Sequence, residues 1–316
     1  MHRAHWFAGS GRFAAGHNLS AMRPKLTALA LAGLLAAAVT GCTTSSARLS
    51  GAERQAPPAT YYLALGDSLS QGVQPNAAGV STPTQDGYAD QLYATLHRSQ
   101  PGLRLVKLGC PGETTGTMIH GGICRYQGGS QLAAAVSFLR AHRGHVSLMT
   151  LDIGANDPYS CILKPSLAKL ASCVASFIPE AGRNLTTILT RVQQASPQTK
   201  IVAMNYYLPT LAEWRHGWAG EMVARASELA ADGYNSLLAK VYQAYGVRVA
   251  NVFSAFHTTD FGSDVTVAGF GPLPRNVAAI CQWTWECAAA PRGPNEHANQ
   301  VGYQVIAQAF LAAGAG

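Results

Sequence analysis

Between residues 61 and 252, short apolar runs alternate with longer stretches in which apolar residues recur at helical spacing. Near-continuous apolar runs are typical of parallel strands covered on both faces, and the helical stretches are typical of crossover helices. This alternation predicts one α/β domain, a three-layer α/β/α sandwich around a roughly five-stranded parallel sheet with right-handed crossovers. The predicted strands are Tyr61–Leu65, Leu103–Leu108, Val146–Ile153, Ile201–Met204 and Val247–Val252. The predicted helices are Tyr88–His97, Gln131–His142, Val174–Ala195, Glu221–Tyr245 and Val301–Leu311.

The charge of the chain argues against one class of partner. The chain has 316 residues, of which 48% are hydrophobic, and this is enough for one sizeable core. Its net charge is +7, but four basic residues and no acidic residue precede residue 42, so the remainder carries only +3. Because this excess is small and no run of basic residues occurs, we expect no nucleic-acid partner.

The N-terminal region has the features of an export signal. Arg23 and Lys25 precede the 14-residue apolar stretch Leu26–Val39. This stretch is short for a membrane span but suits a signal peptide. The following Val-Thr-Gly-Cys sequence, which ends at Cys42, resembles the bacterial lipobox, in which the cysteine carries lipid. The prediction is therefore a lipoprotein signal peptide over residues 1–41, with Met22 as an alternative start and an ordinary secretory signal as the alternative reading.

Residues 42–60 are polar, rich in Ser, Thr and Pro, and show no periodicity. Such composition is typical of a flexible tether. The predicted organisation is a tether over residues 42–60 and one folded domain over residues 61–316. We expect an exported protein that is anchored to the cell membrane through lipid on Cys42, with secretion as the alternative.

The cysteines support export. The chain has seven, and lipid on Cys42 would leave six, an even number that suits a disulfide framework in an exported protein. A metal site is the alternative, but no paired C-x-x-C spacing supports it. The sequence alone leaves the pairing open, and we expect local pairs. These are Cys110 with Cys124, Cys161 with Cys173, and Cys281 with Cys287.

Ser68 lies just past the first predicted strand, in the stretch YYLALGDSLSQG. Gly66 allows a sharp turn there, and ligands of open α/β sheets bind beyond the carboxyl ends of the strands. Ser68 is therefore placed like a nucleophile. The alternative is an ordinary polar turn, since Gly, Asp and Ser are common turn residues. We interpret Asp67 as support for the turn and not as an acid.

Three later segments extend this pattern, namely LGCPGETTG, DIGANDP and PNEHANQVGY. Taken alone, the Pro-Gly and Asn-Asp-Pro sequences in the first two are ordinary turn signals. In this order, and together with Gly-Asp-Ser, the segments resemble the four sequence blocks of the GDSL, or SGNH, hydrolase family from about residue 61 onward.

The resemblance implies an SGNH/flavodoxin-like fold and hydrolysis of carboxylic esters without a cofactor or metal. It implies Ser68 as the nucleophile and an oxyanion hole made by the backbone N–H groups of Ser68 and Gly112 and the side-chain amide of Asn156. Secreted actinobacterial members of the family are similar in having three local disulfides.

The general base is the least direct assignment. The resemblance implies His297, and His257, after the fifth predicted strand, is the alternative. The family's last block reads Asp-x-x-His, but Pro294 stands at the Asp position here. Some secreted members use a Ser–His dyad with a backbone carbonyl as the acceptor for the histidine. We therefore predict that the carbonyl of Pro294, or a neighbouring one, orients His297, since the adjacent Glu296 is poorly placed to do so.

Three functions compete on these residues. The favoured one is an exported serine esterase or lipase that acts on acyl lipids or lipid-like esters. The alternative is an O-deacetylase of polysaccharide or peptidoglycan on the same scaffold, and a non-catalytic binding lipoprotein is less favoured. Aromatic and apolar residues at 206–208 and 214–218 are candidates for an acyl-pocket wall, with a core role as the alternative. We expect a monomer that binds a small-molecule or lipid ester.

Overall fold

The computed structural model describes residues 60–158 and 167–316, with the backbone alone for 167–175. The strands are β1 (Thr60–Gly66), β2 (Gln74–Pro75), β3 (Ser81–Thr82), β4 (Leu103–Lys107), β5 (Val146–Asp152), β6 (Lys200–Met204), β7 (Arg248–Ala250), β8 (Asp264–Val267) and β9 (Gly271–Pro274). The helices are α1 (Tyr88–His97), α2 (Thr115–His120), α3 (Gln131–Ala141), α4 (Leu167–Ala195), α5 (Gly217–Ala244), α6 (Val252–Ala255), α7 (Arg275–Trp283) and α8 (Gln300–Phe310). A 3-10 segment, Pro209–His216, precedes α5, and a π-type turn, Leu311–Ala315, follows α8.

Five strands form one parallel sheet in the order β4-β1-β5-β6-β7. The register places Leu63 of β1 opposite Val106 of β4 on one side and Met149 of β5 on the other. The chain leaves β1 toward β4 and later crosses back toward β5, so right-handed crossovers put helices on both faces. Helix α1 packs with α8, and α3 packs with α4. The predicted three-layer α/β/α sandwich with a five-stranded parallel sheet is confirmed.

This strand order creates a crevice at the carboxyl edge of the sheet. In doubly wound sheets, ligands bind where the direction of strand addition reverses, and here that point lies between β1 and β5. The strands on both sides are fixed by a continuous apolar core, since Leu63 and Leu65 of β1 and Met149 and Leu151 of β5 are fully buried. The turns that follow β1 and β5 therefore start from well-fixed positions.

One helix differs from the prediction, and the stretch after β7 contains elements that the sequence pattern does not indicate. Helix α4 begins at Leu167, earlier than the predicted Val174, and it continues past Pro179. The stretch from Phe253 to Glu296, which shows little periodicity, contains the antiparallel β8–β9 hairpin and helix α7. Both hairpin strands have four residues, which is too short for an alternating pattern to be recognised.

Two of the three expected cysteine pairs are disulfide-bonded in the structure. Cys110 is bonded to Cys124 and Cys281 to Cys287, with Cα–Cα distances of 6.0 and 4.8 Å. The third expected pair, Cys161–Cys173, lies outside the described side chains.

The leader, the tether and Cys42 lie outside the described residues as well. In the part of the chain that the structure describes, no helix has the length and apolar character needed to cross a membrane.

Candidate active site

Ser68 lies on a sharp turn at the carboxyl end of β1. The turn needs glycine at position 66, where φ is +141° and a Cβ atom would lie 2.0 Å from the carbonyl oxygen of Asp152. No L-residue with a side chain fits such an approach. The Ser68 carbonyl accepts a hydrogen bond from Val73 N–H at 3.1 Å, which closes the turn. The turn therefore holds Ser68 beside the crevice between β1 and β5.

Two buried carboxyl groups lie beneath this turn. Asp152 Oδ2 accepts hydrogen bonds from the N–H groups of Ser70 at 3.1 Å and Asp67 at 3.4 Å, and Oδ1 accepts one from Tyr88 OH at 2.5 Å. Asp67 Oδ1 accepts the Leu69 N–H at 3.0 Å. These contacts give Asp67 the supporting position that the sequence suggests, and they show that Asp152 supports the same turn.

Burial governs the protonation of this pair. It raises the pKa of Asp67 to about 7, although the hydrogen bond from Leu69 opposes the rise. Burial and the nearby Asp67 charge also raise the pKa of Asp152 well above its usual value. Asp67 Oδ2 has no hydrogen-bond partner among the described residues. The two carboxyl groups are therefore poorly placed to be ionised together.

The side chain of Gln131, at the start of α3, connects two parts of the site. Its Oε1 accepts the Gly66 N–H at 2.7 Å, and its Nε2 donates to the Gly66 carbonyl at 2.8 Å and to Glu113 Oε2 at 3.1 Å. Gln131 is fully buried. Gln131 could not be identified from the sequence, because nothing in its sequence neighbourhood indicates that its amide reaches β1.

Gly112 follows β4 on a loop that runs along the Ser68 turn. Cys110 N–H donates to the Gly66 carbonyl at 3.0 Å, and the Cys110–Cys124 disulfide closes this loop. At Gly112, φ is +84°, whereas no described atom lies within 4 Å of where a Cβ would be. Glycine is therefore favoured at this position by the backbone conformation and not by lack of space.

Asn156 follows β5 and contacts the same loop. Its Nδ2 donates to the Glu113 carbonyl at 2.9 Å, which leaves the second amide N–H for another acceptor. The next residue, Asp157, accepts hydrogen bonds from the Thr115 N–H, at 3.0 Å, and from the Thr115 hydroxyl. The structure thus brings the turns after β1, β4 and β5 together, with Ser68, Gly112 and Asn156 among them.

Two backbone donors in this cluster have no partner. Within the described ranges, neither the Ser68 N–H nor the Gly112 N–H has a hydrogen-bond acceptor. Ser68 is half-buried, and unpaired N–H groups become rare as burial increases, whereas Gly112 is exposed and its N–H is accessible from the surface. The two N–H groups offer the donor set that an oxyanion needs.

His297 is buried, and its ring is held by Asn295, two residues earlier in the sequence. His297 Nδ1 lies 2.8 Å from Asn295 Oδ1, and the same oxygen accepts the His297 backbone N–H at 3.1 Å. The predicted acceptor was a backbone carbonyl, that of Pro294 or of a neighbouring residue, whereas in the structure the partner of Nδ1 is the side-chain oxygen of Asn295. Asparagine side chains readily accept a hydrogen bond from the backbone N–H two residues later in the sequence. This local turn brings Asn295 Oδ1, and not a backbone carbonyl, to the imidazole.

The segment that carries His297 docks on Trp285 and on the loop after Ser68. Trp285 N–H donates to the His297 carbonyl at 3.0 Å, and Tyr207 OH donates to the Glu296 carbonyl at 2.9 Å. Trp285 Nε1 also donates to Gln74 Oε1 at 3.2 Å. Together with the hydrogen bond from Asn295 Nδ2 to Ser81 Oγ, these contacts attach the segment that carries His297 to residues 71–86, which follow the Ser68 turn.

The structure gives no hydrogen bond between the Ser68 hydroxyl and the His297 imidazole, two groups that it describes. Such a contact often tightens only in the substrate complex. Burial lowers the pKa of His297, although the charge of Glu296 opposes this, so the imidazole is neutral near pH 7 and can accept a proton. The alternative base, His257, lies against Trp283, with ring centroids 5.8 Å apart.

On a flavodoxin-like sheet, a strand-end serine with free backbone donors beside it, and a neutral histidine on a segment bonded to the loop after that serine, are typical of serine hydrolases. The chain belongs to the GDSL-like lipase/acylhydrolase family, which it matches over residues 64–305. It is therefore a carboxylic ester hydrolase. Among the described side chains, no group of three His, Cys, Asp or Glu could hold a metal ion.

Solved structures share the fold at low sequence identity. An extracellular lipase from Streptomyces rimosus has a TM-score of 0.53 and 19% identity, with 81% of this chain and 100% of that chain covered. The lipase Lip_vut3 from a goat rumen metagenome has a TM-score of 0.51 and 14% identity, with 81% and 98% covered. No curated protein sequence matches the chain.

Proposed function

We propose that the protein is an exported serine esterase or lipase that hydrolyses acyl lipids or lipid-like esters through an acyl-enzyme on Ser68. The observation that carries the proposal is the pair of unpartnered N–H groups on Ser68 and Gly112, next to the Asn156 amide. Three donors from three strand ends are what a tetrahedral oxyanion requires, and each typically contributes roughly 3–4 kcal/mol to lowering the barrier.

In this mechanism, His297 Nε2 takes the proton of the Ser68 hydroxyl as Oγ attacks the ester carbonyl carbon. The C=O π electrons move to the carbonyl oxygen, and the N–H groups of Ser68 and Gly112 and the Asn156 amide bind the oxyanion. Collapse of the intermediate breaks the C–O bond to the alcohol, which leaves with the proton from His297. Water then attacks the acyl-enzyme by the same steps and releases the acid and free Ser68.

An exposed apolar surface on α5 supports lipid-like esters, rather than sugar esters, as the substrates. Trp218, Met222 and Leu229 of α5 are 78%, 51% and 73% exposed. Their spacing puts them on one stripe of the helix. Helix α5 follows the carboxyl end of β6 through a connection that contains the 3-10 segment Pro209–His216, so it starts on the carboxyl side of the sheet, as Ser68 does. Tyr206 and Tyr207 are buried, which fits the core role better than an open pocket wall.

Export and anchoring belong to the same proposal. The Cys110–Cys124 and Cys281–Cys287 disulfides fit an oxidising, extracytoplasmic compartment. Lipid on Cys42 would keep the enzyme at the membrane, since two acyl chains give stable attachment where one gives only marginal binding.

The test is hydrolysis of a panel of short-chain, long-chain, phospholipid and acetyl-sugar esters by the full chain and by Ser68→Ala. We expect fatty acyl esters to be preferred and Ser68→Ala to be inactive. A serine-directed phosphonate, mapped by mass spectrometry, should label Ser68. Label on another serine, or full activity in Ser68→Ala, would contradict the nucleophile. A preference for acetylated sugars would support the deacetylase alternative.

A further inference from the structure

The contact between Asn295 and His297 defines which nitrogen of the imidazole carries the proton. The His297 backbone N–H can only donate, so the Asn295 atom that it meets at 3.1 Å must be the carbonyl oxygen Oδ1. The same oxygen lies 2.8 Å from Nδ1. Because Oδ1 can only accept, Nδ1 must carry a hydrogen, and Nε2 is left with the free electron pair.

The Asn295 side chain is held in this orientation from two further sides. Its Nδ2 donates to Ser81 Oγ at 2.9 Å, across a separation of 214 residues. Its own backbone N–H donates to the Trp285 carbonyl at 3.2 Å. A flipped amide would place NH₂ against the His297 backbone N–H and would break that hydrogen bond. The backbone N–H of His297 therefore fixes which atom of the Asn295 amide faces the imidazole, and the bond to Ser81 is compatible with this orientation.

We propose that Asn295 is a positioning residue: its side-chain oxygen holds Nδ1–H of His297 and thereby keeps Nε2 as the basic nitrogen for Ser68, and Ser81 aligns the amide. This inference rests on the proposed function. The chain would then use a neutral amide where a Ser-His-Asp triad has a carboxylate. A neutral acceptor selects the tautomer but stabilises the imidazolium less than a negative charge does.

The experiment follows His297 directly by ¹⁵N NMR of the imidazole in the full chain, with its signals assigned by their loss in His297→Gln. The wild type should show one neutral tautomer with a protonated Nδ1. Asn295→Ala should show mixed tautomers, and its kcat should fall about 10²-fold with a nearly unchanged KM. Asn295→Asp, which keeps the shape, should raise the His297 pKa and move the acid limb of kcat/KM upward by about one pH unit.

A matched control is Asp260→Ala. Asp260 forms a similar side-chain turn, in which Oδ1 accepts the N–H groups of Gly262 and Ser263 at 3.1 Å, but it does not contact His297. This variant should leave the tautomer and the pH profile unchanged. An unchanged His297 pKa in Asn295→Asp, or a single Nδ1–H tautomer in Asn295→Ala, would overturn the proposal. Because the NMR readout needs no turnover, these results are distinguishable from failure of the esterase function, which Ser68→Ala tests.

Discussion

Replacing Asp67 with Asn should stabilise the protein at neutral pH, although Asp67 lies directly beneath the proposed nucleophile. The Asp67 carboxyl group is fully buried next to Asp152, and its Oδ2 has no partner among the described residues. Asparagine is nearly isosteric. Its Oδ1 can still accept the Leu69 N–H, and its NH₂ can donate toward Asp152. The substitution therefore removes a buried negative charge and keeps the turn.

The sign of the stability change follows from the pKa values of Asp67 in the folded and the unfolded state. Burial raises the folded-state pKa from 3.8 to about 7, so between these values the folded protein holds a proton that the unfolded chain has lost. The free energy of unfolding then decreases as the pH rises through this window and stays lower above it. The difference between the pKa values corresponds to at most about 4 kcal/mol above pH 7. Asparagine removes this contribution.

The assay is urea unfolding of the wild type and Asp67→Asn at intervals from pH 4 to pH 8. The two free energies of unfolding should be similar at pH 4 and diverge as the pH rises, with Asp67→Asn the more stable at pH 8. Asp86→Asn is the control, since Asp86 is exposed and its removal should not change the slope. Parallel curves for the wild type and Asp67→Asn would refute the reasoning.

Gly112→Ala should lower kcat by about 10²-fold, because a left-handed φ of +84° strains alanine and displaces the N–H donor. Steady-state kinetics test this prediction, and an unchanged kcat would contradict it. In the double variant Cys281→Ser/Cys287→Ser, the free energy of unfolding in urea should decrease by about 2 kcal/mol, because a closed loop becomes free in the unfolded chain. An unchanged free energy of unfolding would contradict this. Cys42→Ala should move the protein from the detergent phase to the aqueous phase in detergent partitioning; equal partitioning of both proteins would exclude the anchor.

The sheet could be predicted from sequence because its three central strands, β1, β5 and β6, are covered on both faces. A buried strand such as β5 must be apolar along its length, and this makes it visible in the sequence. The β8–β9 hairpin packs as a small satellite cluster around Val267, Leu273 and Val277, so it needs few apolar residues. Its strands are therefore too short and too mixed to be recognised from periodicity.

The residues of the site also divide into those that a sequence pattern indicates and those that it does not. Ser68 could be proposed from its position at a strand end, whereas Gly112 and Asn156 lie in ordinary turn sequences and were proposed through the resemblance to the hydrolase family. All three follow strands whose carboxyl ends share one edge of the sheet. Gln131 and Asn295 act through side-chain amides that reach other elements, and such contacts have no local pattern. One weak signal existed for Asn295: an asparagine two residues before a histidine can accept that residue's N–H. Its further bond to Ser81 depends on the folded structure.

The groups of the site are attached to different parts of the fold. Ser68, Gly112 and Asn156 follow strands of the central sheet, whose middle strands are almost entirely buried. His297 instead lies on a peripheral segment that is held by the Thr284–Ala298 bridge and the bonds to Trp285. Peripheral segments open with a smaller free energy than the core does. Heating should therefore produce a population with an intact sheet and a displaced His297, so that enzyme activity is lost at a lower temperature than secondary structure and returns on cooling.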